Sequence, residues 1–89
     1  MSERNTAVSQ PKLPKEVNSK TYQTLSLNLR YFRHRMRMTQ EELASIAGIS
    51  SKYLSLIESQ AFNNPPTLEV LFDLSRALEI EPYRLFKEL

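Results

Sequence analysis

Residues 38–59 read MTQEELASIAGISSKYLSLIES, and this stretch decides the fold. It divides into two short helices joined by one sharp turn. Thr39 is a suitable N-cap, and Glu42 stands three residues on, the spacing of a capping box. Leu43, Ile46 and Ala47 recur on one helical face behind it. Gly48 is the only glycine in 89 residues. It falls where a helix ends most easily, because glycine takes positive φ without a Cβ penalty. Ile49 is placed to bury itself in the turn, and Ser50 is a second N-cap. Tyr53, Leu54 and Ile57 give the next helix its apolar face, while the small Ala44 suits two helices that cross closely.

The flanks are helical too. Over residues 21–37, Leu25, Leu29, Phe32 and Met36 repeat at helical spacing and predict a first helix with a core stripe. The second and third helices span Gln40–Ala47 and Ser51–Ser59, followed by the loop Gln60–Pro66. Thr67 caps a fourth helix, whose apolar stripe is Leu68, Leu71, Leu74, Ala77 and Leu78. Pro82 opens a fifth, where its missing N–H costs nothing, and Glu81 before it suits the positive end of the helix dipole. The expected fold is all-α: a compact five-helix bundle over 21–89. Residues 1–20 are polar, carry Pro11 and Pro14, and predict a flexible arm bearing Arg4, Lys12, Lys15 and Lys20.

Composition narrows the function. The net charge is only +2, yet residues 1–40 hold eight Lys/Arg against two Glu, and residues 41–89 hold four against eight Asp/Glu. One basic side offered to a polyanion fits that asymmetry, and so does a merely solvated charge pattern. There is no cysteine, so neither a disulfide nor a thiolate metal site is available. His34, the single histidine, stands in a basic run without a second ligand at metal spacing. No cofactor or small-molecule ligand is implied. Glu41 and Glu42 are adjacent and diverge on a helix, and no nucleophile–base pattern occurs, so an enzyme is not expected. No apolar run is long enough to span a membrane, and the cysteine-free chain is compatible with the cytoplasm.

Read as T-Q-E-E-L-A-x-x-A-G-I-S-x-x-Y-L-S-x-I-E, the central stretch resembles the helix-turn-helix of the phage repressor and Cro type, also called Xre-like. The resemblance extends from about Leu25 to Phe86. It implies a DNA-binding regulator whose second motif helix enters the major groove, with the first straddling the backbone. On that expectation Gln40 meets a phosphate at the start of its helix, and Ser50 and Ser51 reach phosphate or base. Lys52 is the best candidate for direct readout, since lysine donates to guanine O6 and N7. Tyr53 offers a hydroxyl to phosphate, Ser55 shares the exposed face, and Leu56 lies where a thymine methyl would be met. Arg37 and loop residue Asn63 complete the DNA-facing set. Each has a plainer reading: Ser50 is first of all a cap, Tyr53 is half core, and Leu56 packs equally well on a loop or a partner subunit.

The resemblance also implies that Arg33 pairs with Glu58, tying the first helix to the third. Two departures stand out. Arg37 occupies a position where the family usually has glycine, and Ser59-Gln60 replaces its usual Arg-Gly. The readout set holds no Arg, Asn or Gln on the early face of the third helix. Specificity is therefore expected to lean on DNA shape and phosphate register. Tyr83, Leu85, Phe86 and Leu89 are more apolar than a short terminal helix needs and predict a homodimer through it. Phage repressor, restriction-modification controller and antitoxin all share this size and motif. The competing reading is a protein-interaction module, such as an antitoxin that meets its toxin through the acidic C-terminal half.

Overall fold

Three helices open on one device. Thr39, Ser50 and Thr67 sit in extended backbone, and their hydroxyls accept from the N–H groups of Glu42, Tyr53 and Val70. Each satisfies a donor that the helix itself leaves without a partner. At Thr39 the box is complete, since Glu42 Oε1 accepts from the Thr39 N–H at 2.8 Å. The computed structural model describes the backbone of residues 15–89 and the side chains from residue 18 onward. Its helices are α1 (Lys15–Arg35), α2 (Gln40–Ala47), α3 (Ser51–Glu58) and α4 (Leu68–Ala77).

The fifth helix is a correction. Pro82–Leu85 form one turn of 3-10 helix. Pro82 starts it without an N–H, and Glu81 makes no side-chain cap to favour a longer helix. Among the described residues there are four α-helices, no strand, and no helix long and apolar enough to cross a membrane. A second correction concerns α1. It begins at Lys15 rather than 21 and ends at Arg35 rather than 37. Residues 15–20 of the expected arm are thus helical; residues 1–14, with Arg4 and Lys12, and the side chain of Lys15 lie outside what is described.

All four helices end in the same hydrogen-bond pattern. Arg37, Gly48, Gln60 and Glu79 adopt positive φ, at 58°, 79°, 60° and 59°. The N–H of the next residue then reaches back five positions: Met38 to Arg33 O, Ile49 to Ala44 O, Ala61 to Leu56 O, and Ile80 to Ser75 O, at 2.9–3.1 Å. This is the Schellman arrangement, which satisfies the last orphan carbonyls and places an apolar residue just beyond them. Met38, Ile49 and Ile80 use that position to pack on the core. Only one of the four left-handed positions is glycine. Glu79 lies farthest along the chain from the helix-turn-helix, so Glu79→Gly should stabilise without touching it. A left-handed penalty of roughly 1–2 kcal/mol, less roughly 0.5–1 kcal/mol of added unfolded-chain entropy, leaves a gain of about 0.5–1 kcal/mol. Thermal melting followed by circular dichroism should show Tm rising by a few degrees; an unchanged or lowered Tm would mean that the glutamate side chain compensates its backbone.

The core draws on every element. Leu25, Leu29 and Phe32 of α1 meet Leu43, Ala44 and Ala47 of α2, and Leu54 and Ile57 of α3. Leu71, Leu74, Ala77 and Leu78 close it from the α4 side, and Leu85 plugs it from the 3-10 turn. α1 packs on α3 and on that turn, and α4 packs on α2 and on the turn. Three expected stripe members are not core. Ile46 is 61% exposed because it projects about 100° around the helix from Ala47, away from the buried face. Met36 lies past the end of α1, in the reversing turn, and Leu68 precedes the first buried turn of α4.

Candidate nucleic-acid interface

Capping sets what the N-termini of α2 and α3 have to offer. A helix leaves its first N–H groups without internal partners. At α2 the cap box consumes those of Thr39 and Glu42, which leaves Gln40 and Glu41 facing outward. At α3 Ser50 consumes that of Tyr53, which leaves Ser51 and Lys52. Both termini therefore present donors at the positive end of a helix dipole, the chemistry that binds phosphate.

The side chains of α3 divide cleanly. Leu54, Ile57 and Glu58 are buried. Lys52 is exposed, and Ser51, Ser55 and Leu56 are half-buried along the same outward stripe. Tyr53 is half-buried against the core, so its ring is scaffold and only its outer edge remains open. Leu56 stands apart from the residues packed on the core, which leaves its methyls available on the outer face. Ser50 is exposed but already accepts a hydrogen bond as the cap. Arg37 lies in the turn before α2, beside a shallow groove also lined by Met38, Glu41 and Ser45. Asn63 is exposed in the α3–α4 loop, whose neighbour Phe62 meets Tyr22 of α1 edge-on at 5.5 Å. The Ser59-Gln60 departure is conformational as well: Gln60 takes the left-handed position without being glycine.

Behind this surface lies a buried network. Arg33 Nε donates to Glu58 Oε2 at 2.8 Å, and Arg33 Nη2 donates to Glu58 Oε1 at 2.9 Å. The side chains are 10% and 2% exposed. Arg33 Nη1 also donates to the Met38 carbonyl at 3.0 Å. Glu58 Oε1 accepts once more, from Gln40 Nε2 at 2.9 Å. The Glu58 carboxylate thus fastens α1 and the first residue of α2 to the end of α3, and the Arg33 guanidinium adds the α1–α2 turn. Ser26 adds a second tie, its hydroxyl donating to the Ile57 carbonyl at 2.6 Å in a buried bond.

Gln40 is where this geometry departs most from sequence reading. The sequence expectation gives Gln40 to phosphate, yet its amide nitrogen is already committed to Glu58. One N–H of that amide remains, beside the outward backbone N–H of the same residue. Nothing in linear spacing marks a Gln–Glu contact over 18 residues; only packing α2 against α3 creates it.

The hydrophobic surface of the C-terminal turn is smaller than expected. Tyr83, Phe86 and Leu89 are exposed, whereas Leu85 is 0% exposed. Leu85 is therefore corrected from a partner contact to a core residue: the 3-10 turn points it inward, and its side chain is spent within its own protomer. No grouping of metal-ligating side chains occurs among the described residues, and His34 is exposed.

This arrangement has relatives. A family model described as helix-turn-helix matches residues 29–85, from the middle of α1 through the C-terminal turn. The restriction-modification controller protein C.AhdI from Aeromonas hydrophila is 31% identical, with a TM-score of 0.68 over 73% of this chain and 96% of that one. A hypothetical transcription factor, NHTF, from Neisseria is 29% identical, with a TM-score of 0.72 over 89% of this chain and 86% of that one. With the two capped helices, the Gly48 turn and the outward stripe of α3 in place, the chain belongs to the helix-turn-helix DNA-binding family of the phage repressor and Cro type.

Proposed function

We propose that the chain binds a near-palindromic DNA operator as a homodimer, with α3 of each protomer in the major groove. A DNA-binding transcriptional regulator is what the family and both neighbours support. The observation that carries the finer reading is the outward stripe of α3, with Lys52 exposed at its first turn beside a helix terminus that offers free N–H groups. Gln40 and Ser51 contact phosphates and fix register, while Lys52 and Leu56 meet base edges. Arg37 and Asn63 flank the groove and add backbone contacts. Tyr83, Phe86 and Leu89 form the apolar surface through which two copies associate. Of the regulator types sharing this motif, the similarity to a restriction-modification controller over nearly all of that protein supports the controller type.

Selection of bound sites from a random DNA pool tests this reading. The expected product is a near-palindrome with half-sites about one turn, roughly 34–36 Å, apart. Titrating the selected site against salt should show affinity falling linearly on logarithmic axes. Weak binding with no enriched sequence would overturn the operator and leave only charge attraction. Because the exposed stripe holds one lysine and no bidentate amide or guanidinium, changes at base pairs that α3 does not touch should also weaken binding, through the cost of deforming DNA.

A further inference from the structure

Gln40 Nε2 donates to a carboxylate that does not need it. Glu58 is 3% exposed, and Arg33 already gives each of its oxygens a charge-assisted hydrogen bond, at 2.8 Å to Oε2 and 2.9 Å to Oε1. Both buried oxygens are therefore satisfied before α2 contributes anything. The bond from Gln40, at 2.9 Å to the same Oε1, adds little for Glu58. Its consequence falls on the other partner. Gln40 is half-buried at the first position of α2, where a glutamine left to itself samples several rotamers and both orientations of its amide. A carboxylate only accepts, so this bond selects the orientation with nitrogen toward Glu58 and leaves the second N–H of that nitrogen for another acceptor.

Charge makes the arrangement compatible with DNA. A lone glutamate behind a phosphate contact would repel the phosphate. Glu58 is paired with the Arg33 guanidinium, so Gln40 is held by an acceptor whose charge is already balanced. The same guanidinium donates to the Met38 carbonyl at 3.0 Å, one residue before the Thr39 cap, and steadies the approach to the helix terminus. We propose that Glu58 is a positioning residue for DNA binding: it holds the Gln40 side chain in one pose, so that the amide meets a backbone phosphate already ordered. The inference rests on the reading of Gln40 as a phosphate contact. Its physical content is preorganisation, because an amide ordered before contact loses no rotamer freedom on binding.

A double-mutant cycle on DNA affinity tests it, with Gln40→Ala as one arm and Arg33→Met joined to Glu58→Leu as the other. The paired change removes both charges together and leaves no unmatched one in the core. Affinity is read on the site recovered by selection, at a temperature where circular dichroism shows every variant folded. Gln40→Ala should weaken binding about tenfold in the otherwise wild-type chain but no more than about threefold in the paired variant, since ordering one side chain is worth roughly two- to tenfold. Losses that arise from the turn at Met38 occur in both backgrounds and cancel. A phosphate contact carries no sequence information, so the loss should be even across base substitutions in the half-site. A second measurement needs no variant and decides alone if the paired change does not fold. NMR relaxation of the Gln40 side-chain amide nitrogen in the free wild type should give an order parameter above about 0.6, below which a group counts as flexible. Equal losses from Gln40→Ala in both backgrounds, or a mobile amide in the free protein, would overturn the role of Glu58 and leave the phosphate contact standing. A Gln40→Ala variant that binds as tightly as wild type would overturn the contact itself, and the role of Glu58 with it.

Discussion

Removing Glu58 should take away most of the stability of this protein and leave it only marginally folded at room temperature. A Glu58→Ala change leaves the Arg33 guanidinium buried without its carboxylate and strips Gln40 of its acceptor. Breaking one side of a buried pair typically costs about 3–5 kcal/mol, because the remaining charge is uncompensated. A small domain has roughly 5–15 kcal/mol in total, and one of this size lies toward the lower end. Arg33→Ala should cost a comparable amount, since Glu58 would keep only the Gln40 amide. Removing both charges together, as Arg33→Met with Glu58→Leu, should restore most of the loss, because apolar groups of similar volume replace a pair that was costly to desolvate. Urea denaturation of the four proteins gives the coupling energy directly. Single variants within 1 kcal/mol of wild type would show that water reaches the pair and that it does not hold the helices together.

That network also shows how far linear reading extends. Helix starts were legible because the signal is local: Thr39, Ser50 and Thr67 each act on a backbone N–H three residues away. The turn at Gly48 was legible for the same reason. The other three helix ends were harder, because Arg37, Gln60 and Glu79 take a glycine conformation without being glycine. What accompanies those turns in the structure, and was not used in reading the sequence, is an apolar residue just after the turn: Met38 and Ile80 are partly buried against the core. The Arg33–Glu58 pairing came from family resemblance, since two charges 25 residues apart carry no local sign of contact. The roles of Ser26 and Gln40 had no sequence signal at all. Each is a polar residue inside an ordinary helix, and its purpose depends on which carbonyl or carboxylate another element brings to it. The C-terminal turn misled in the opposite direction. Four large apolar residues within seven positions suggested one amphipathic helix, but a single 3-10 turn buries only Leu85 and turns the others out.

Lys52→Glu should separate binding from folding by moving them in opposite directions. Lys52 is exposed in the first turn of α3, and no acid stands in that turn. The only acid of α3 is Glu58, which is neutralised by Arg33. Lys52 is thus the positive side chain of the groove-facing stripe. A glutamate there complements the helix dipole and should stabilise the fold by about 0.3–1 kcal/mol. Against DNA the same change removes a donor to a base edge, worth about 1–3 kcal/mol, and sets a negative charge among phosphates. Operator affinity should fall by about a hundredfold or more, with Tm unchanged or slightly raised. Lys52→Ala separates the two contributions. If lysine reads a base, the Ala variant loses discrimination at one base pair per half-site; if it meets only phosphate, affinity drops evenly across sequences and the salt dependence becomes shallower by about one ion. A partner protein bound through the acidic C-terminal half would be indifferent to either change. Operator binding by Lys52→Glu within threefold of wild type would therefore remove α3 from the major groove and return the function of this bundle to protein recognition.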